Sequence, residues 1–127
     1  MKRKLIPAFI ALLVVAALLG GSRFLRSEEK PSEVTLQGTV VDTHCYVTHG
    51  IHDADHTACA NACISRGVPA GFLAEDGTLY MLFEEKPFSV KDQVKDLADV
   101  PVRLKGMLVE RGGIKGIQIK SIERVKA

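Results

Sequence analysis

The amino-acid sequence predicts a small, mainly β domain with short helices around one hydrophobic core. The chain has 127 residues, of which 46% are hydrophobic and 25% charged. That composition is globular and excludes a disordered or collagen-like chain. Alternating, β-branched segments are separated by Asp-Gly and Gly-Gly pairs, a pattern typical of antiparallel hairpins.

Five strands are expected. The first extends from Val34 to Asp42, where the residues alternate and many are β-branched. The other four form two hairpins with glycine-containing turns: residues 71–74 and 78–84 around Asp76-Gly77, and residues 102–111 and 114–125 around Gly112-Gly113.

Two short helices are expected between the strands. Residues 43–55 have no regular period and predict a loop, and the helix formers of residues 56–66 follow, with Gly67 as the C-terminal cap. We expect Asp55 to cap the start of this helix. A second helix is expected to begin at Ser89, with Asp92 three residues later completing a short capping box.

This order of elements predicts an OB-fold-like five-stranded barrel with a helix-bearing insertion between strands 1 and 2. Gly38 and Gly106 lie in the first and fourth strands, where such barrels need a strand to curve tightly. The fold by itself indicates no activity.

Three regions are expected: residues 1–26 as a membrane-targeting segment, 27–33 as a polar tether and 34–127 as the domain. Lys2-Arg3-Lys4 precedes an apolar run from Leu5 to Gly21, which predicts either an uncleaved signal anchor or a cleaved signal peptide. The membrane is therefore an expected partner. The domain is expected in the periplasm or another extracytoplasmic space, anchored at the inner membrane.

The net charge of +2 is unevenly distributed. Residues 1–33 contain six Lys or Arg and three Asp or Glu, whereas residues 34–127 contain eleven and twelve. Because the domain is close to neutral, the basic surface of a nucleic-acid-binding protein is not expected.

All four histidines and all three cysteines lie between residues 44 and 63. On a helix over residues 56–66, His56, Cys59 and Cys63 share one face, because they are spaced by three and four residues. Cys45 follows the first strand, where the insertion must return to the barrel. The sequence therefore predicts a metal site formed by Cys45, His56, Cys59 and Cys63, which would suit Zn or Cu.

Two other interpretations of the cysteines remain open. In an exported protein, a disulfide from Cys45 to Cys59 or Cys63 would link the insertion covalently to the barrel and leave one cysteine unpaired. The domain would then be a non-enzymatic binding or interaction module with an unknown protein partner. A thiol redox protein is the third interpretation, which requires a low thiol pKa near the helix.

Several short motifs resemble a family of small exported bacterial proteins of unknown function. They are Asp42-Thr43-His44-Cys45-Tyr46, His56-x-x-Cys59-Ala60-x-x-Cys63-Ile64, Gly67-x-Pro69-x-Gly71 and Asp76-Gly77-x-Leu79-Tyr80. The resemblance implies an exported protein with one domain and transfers no activity. With no catalytic set identified, the sequence favours an exported metal-binding accessory protein over an enzyme and leaves enzymatic activity open.

Overall fold

Five strands close into a barrel in the computed structural model, which describes residues 30–85 and 87–126. The strands are β1 (Ser32–Asp42), β2 (Ala70–Ala74), β3 (Leu79–Phe83), β4 (Pro101–Arg111) and β5 (Ile114–Arg124). The order around the barrel is β1-β2-β3-β5-β4, and β4 pairs with β1 to close it. Neighbouring strands are antiparallel except β3 and β5, which are parallel.

The described helices are short and lie in two connections. Between β1 and β2 the chain forms α1 (Thr43–His49), a 3-10 turn (Ala54–His56) and α2 (Thr57–Ser65), and between β3 and β4 it forms α3 (Val90–Gln93). This arrangement confirms the predicted OB-fold-like barrel with a helix-bearing insertion. We refer to residues 43–69 as the insertion.

Close backbone packing explains the glycines of β1 and β4. A Cβ at Gly38 would collide with the carbonyl oxygen of Leu73, and one at Gly106 would collide with that of Gln118. The ladder between β4 and β5 also shifts register at Gly106. Glycine is therefore needed where the strands bend and approach each other.

The core lies inside the barrel and extends under the insertion. Fully buried side chains on the strands include Val40, Phe72, Leu104, Ile117 and Ile119. The insertion adds two buried residues of α2 to the same cluster, Ala60 and Ile64. Helix α2 is thus packed onto the barrel by a small apolar contact.

Residues 43–49 form a helix, so the prediction of a continuous loop over residues 43–55 is wrong. The Asp42 carboxylate accepts hydrogen bonds from the backbone N–H groups of His44 (2.8 Å) and Cys45 (3.2 Å). At the other end, Gly50 adopts φ 71° and its N–H caps the last turn. Two caps therefore stabilise a helix that buries no residue of its own.

The two predicted N-terminal caps have different outcomes in the structure. Asp53, not Asp55, caps the turn before α2, because its Oδ1 accepts from the His56 N–H at 3.1 Å. Ser89 does cap α3, since its Oγ accepts from the Asp92 N–H at 3.3 Å. That helix spans only four residues.

The predicted membrane segment, residues 1–26, lies outside the described residues. Within residues 30–85 and 87–126, no helix is long and apolar enough to cross a bilayer. Ser32 and Glu33, the last residues of the predicted tether, pair with Leu108 and Met107 of β4. Strand β1 thus begins two residues before the predicted Val34.

Candidate functional site

The insertion places the predicted site residues on three consecutive elements. Cys45 lies on α1, His56 ends the 3-10 turn, and Cys59 and Cys63 lie one turn apart on α2. Cys59 is exposed, while Cys45 and Cys63 are half-buried. All three cysteines are free, so the structure contains neither of the two predicted disulfide pairings.

Asp42, at the junction of β1 and α1, lies beside these thiols although sequence reasoning did not assign it to the site. Its side chain is buried, with 1% of the residue exposed. Oδ1 caps α1, and Oδ2 has no hydrogen-bond partner of regular geometry among the described residues. A buried carboxylate oxygen without a partner carries a desolvation cost, which a nearby cation would offset.

The Asp42 carboxylate influences two of the thiols. Its contact with the Cys63 thiol is the largest cause that raises the pKa of Cys63, followed by burial. Partial burial raises the pKa of Cys45, and the Asp42 charge raises it further. The Cys59 thiol also adds to the raised pKa of both. Asp42 and the three thiols therefore form one electrostatic group, which we call the cysteine cluster.

His56 binds a second buried carboxylate, that of Asp99. His56 Nδ1 lies 2.9 Å from Asp99 Oδ2, and the Asp99 side chain has no exposed surface. If Nδ1 donates this hydrogen bond, the other ring nitrogen, Nε2, is free to act as a ligand. Histidine ligands of metals characteristically have such a carboxylate partner.

Asp99 itself lies in an unusual environment. Its φ of 55° is in the left-handed region, and its Oδ1 has no hydrogen-bond partner within the described part of the chain. Burial raises the pKa of Asp99, while the contact with His56 lowers it in part. Sequence reasoning missed Asp99 because it lies 43 residues beyond His56 and no local motif links the two.

Further polar contacts fasten the insertion to the barrel connections. Asn61 of α2 accepts a hydrogen bond from the Ala98 N–H at 3.2 Å. The Thr43 hydroxyl donates to the Pro69 carbonyl at 2.8 Å, which joins the two ends of the insertion. The insertion is therefore held at a few defined points.

The remaining histidines, His44, His49 and His52, are exposed. His44 and His49 stack edge to face with ring centroids 6.1 Å apart, and His52 stacks against Tyr46 at 5.5 Å. Within residues 30–85 and 87–126, no three His, Cys, Asp or Glu side chains are arranged to hold one metal ion. The fold thus gathers the four predicted ligands on one insertion without placing them around one point.

Comparison of this chain with known protein families, curated proteins and solved structures finds no match.

Proposed function

We propose that the chain is an exported, membrane-anchored accessory protein that binds a soft transition-metal ion at the cysteine cluster. The ligands would be the thiolates of Cys45, Cys59 and Cys63, with His56 as an additional donor. The proposal depends on three free thiols that interact with one another, of which Cys45 and Cys63 also interact with the buried Asp42 carboxylate. Oδ2 of that carboxylate has no hydrogen-bond partner of regular geometry among the described residues.

Electrostatics at the cluster supports a cation. The Asp42 carboxylate disfavours ionisation of the neighbouring thiols: it is the largest cause that raises the pKa of Cys63, and it adds to the effect of burial on the pKa of Cys45. A bound cation reverses this effect, because it stabilises both the thiolates and the buried carboxylate. Binding would release protons, so the affinity should increase with pH.

The number of nearby donors favours Cu(I) over Zn(II). A structural Zn(II) site needs four ligands in a tetrahedron, and no group of three donors converges in the described residues. Cu(I) is bound well by two or three thiolates, and Cys59 and Cys63 lie one turn apart on α2, where their thiols influence each other. Rotation of these side chains, with Cys45 as a third ligand, would complete such a site.

The raised pKa values of Cys45 and Cys63 argue against a redox role for these two thiols. Reactive cysteines have depressed pKa values because the thiolate is the nucleophile, whereas those of Cys45 and Cys63 are raised. A metal-binding role does not require an ionised thiol in advance, since the metal itself displaces the proton.

A Cu(I) titration against a chromophoric chelator, under anaerobic reducing conditions, tests the proposal. Wild type should remove about one equivalent of Cu(I) from the chelator, as expected for one site formed by two or three thiolates. Replacing a residue that only hydrogen-bonds to a metal ligand typically lowers metal affinity about 10- to 100-fold. Because Cys59→Ser and Cys63→Ser remove ligands themselves, each should lower the Cu(I) affinity at least about tenfold. A parallel Zn(II) titration determines which ion is preferred.

His56→Gln and His49→Gln form a matched pair of histidine variants. His56 binds buried Asp99, whereas His49 lies exposed at the end of α1. If His56 is a donor, only its variant should weaken binding. Unchanged Cu(I) affinity in both single cysteine variants would refute the proposed site.

A further inference from the structure

A groove at the opposite end of β1 from the cysteine cluster has an apolar lining. It encloses about 710 Å³, and its lining includes Phe83, Val109 and Ile114. Phe83 is 46% exposed and Ile114 is 59% exposed. Large apolar side chains that lie together on a surface mark an interaction site more often than isolated ones do.

The chain enters the domain at this groove. Lys30 and Pro31, the first described residues, also line it. The apolar run of the sequence ends at Gly21, nine residues before Lys30. Nine residues span at most about 32 Å when fully extended, so a membrane anchor at Leu5 to Gly21 would keep the groove close to the bilayer.

We infer that the groove end of the barrel docks on the bilayer surface, with Phe83 and Ile114 inserted among the lipid headgroups. The inference depends on the membrane anchor in the proposed function and adds the orientation of the domain. Arg111 and Lys115 flank Ile114 in the β4–β5 hairpin and are exposed, so they can contact lipid phosphates. Membrane-surface segments combine apolar insertion with basic flanks in this way.

The charge around the groove is mixed, which makes the apolar side chains the main source of binding. Glu110 also lines the groove, and Glu84 and Glu85 follow Phe83 in the chain. Because these carboxylates offset the basic residues, electrostatic attraction to anionic lipid contributes less than it would at a purely basic surface.

This orientation would direct the cysteine cluster away from the membrane. Strand β1 has 11 residues, so at roughly 3.3 Å per residue its ends are separated by at most about 33 Å along a strand that bends at Gly38. The groove adjoins Ser32, where the strand begins, and Asp42 ends it. A docked domain would therefore present the cluster to molecules in the surrounding aqueous compartment.

The absence of tryptophan from the sequence allows a direct test with single tryptophan probes in the full-length protein. Ile114→Trp and Phe83→Trp place the probe in the groove. Val47→Trp is the matched control, because Val47 is 66% exposed on α1 beside the cluster. The protein is reconstituted into vesicles of phosphatidylethanolamine and phosphatidylglycerol, with and without lipids brominated on their acyl chains.

Docking predicts that brominated lipid quenches both groove probes several times more strongly than the Val47→Trp control. The emission of the groove probes should also shift to shorter wavelength relative to the control. If the protein floats with the vesicles but the three probes are quenched equally, or not at all, the groove does not dock on the bilayer although the anchor holds the protein there. Protein that fails to float with the vesicles would overturn both.

Discussion

The barrel and the insertion are stabilised by different kinds of interaction. The barrel buries large apolar side chains such as Phe72, Leu104 and Ile119 within continuous hydrogen-bonded ladders. The insertion buries only Ala60 and Ile64 and depends otherwise on polar contacts. Stability is therefore concentrated in the barrel. The insertion contributes the three free thiols, and the buried carboxylates of Asp42 and Asp99 lie just outside it, where it meets the barrel and the β3–β4 connection.

The largest effect is expected in the barrel, at Phe72. Phe72→Ala removes a fully buried ring and should lower the free energy of unfolding by about 3–5 kcal/mol. Val47→Ala is the control in the insertion, and it should change stability by less than about 0.5 kcal/mol because Val47 is exposed. Urea denaturation followed by circular dichroism measures both. Similar losses of unfolding free energy in the two variants would contradict the concentration of stability in the barrel.

The next effect separates the two functions of Asp42 at the junction of barrel and insertion. Asp42→Ala removes the N-cap of α1 and should cost about 0.5–2 kcal/mol. Asp42→Asn keeps a capping oxygen but removes the charge, so stability should be retained while the pKa of the Cys63 and Cys45 thiols falls toward its ordinary value. The rate of thiol alkylation as a function of pH measures that fall.

Asp55→Asn is the matched charge control, because Asp55 is exposed in the same insertion. It should leave the alkylation profile unchanged. If Asp42→Asn also leaves the profile unchanged, the carboxylate does not control the thiols.

A smaller, pH-dependent effect is expected at Asp99. Because burial raises its pKa in the folded protein, the folded state takes up a proton before the unfolded state as the pH falls. Stability from this group therefore increases as the pH falls through the folded pKa, and is fully gained below the unfolded value of about 3.9. Wild type should gain stability relative to Asp99→Asn over this acid range, as measured by urea denaturation at successive pH values.

The same comparison in the His56→Gln variant tests whether His56 lowers the pKa of Asp99. The His56 contact lowers the pKa of Asp99, so its removal should move the gain to higher pH. If the gain in stability occurs at the same pH in the His56→Gln variant, His56 does not influence the ionisation of Asp99.

The smallest effect is expected on the barrel surface at Glu33. Its carboxylate lies 2.6 Å from Lys120 Nζ and 3.1 Å from Lys105 Nζ, and the Lys120 contact is the largest cause that lowers the pKa of Glu33. Stability from these ion pairs is present above the unfolded pKa and is lost as the pH falls through the folded one. Glu33→Gln should slightly lower the free energy of unfolding at neutral pH, and added salt should abolish the difference from wild type. A difference that persists in high salt would contradict an ion-pair origin.

The barrel was predictable from sequence because its signals are local. The alternation in β1, the turns at Asp76-Gly77 and Gly112-Gly113, and the glycines at 38 and 106 each restrict the backbone where they occur. The positions and order of the five strands follow from such signals.

The candidate site was predictable only in part. Clustering of Cys and His identified the insertion, but Asp42 and Asp99 were not identified. Asp42 ends a strand whose pattern gave no reason to look for a helix cap, so α1 was missed with it. Asp99 meets His56 only through the fold, across 43 residues, and spacing along the chain does not predict such contacts.

Metal content and thiol count, measured on one sample of the full-length protein purified under reducing conditions, test the central claim most directly. We expect close to one equivalent of a transition metal, with three thiols labelled after the metal is removed under denaturing conditions. Less than a tenth of an equivalent, with one labelled thiol and a disulfide between the other two, would contradict it.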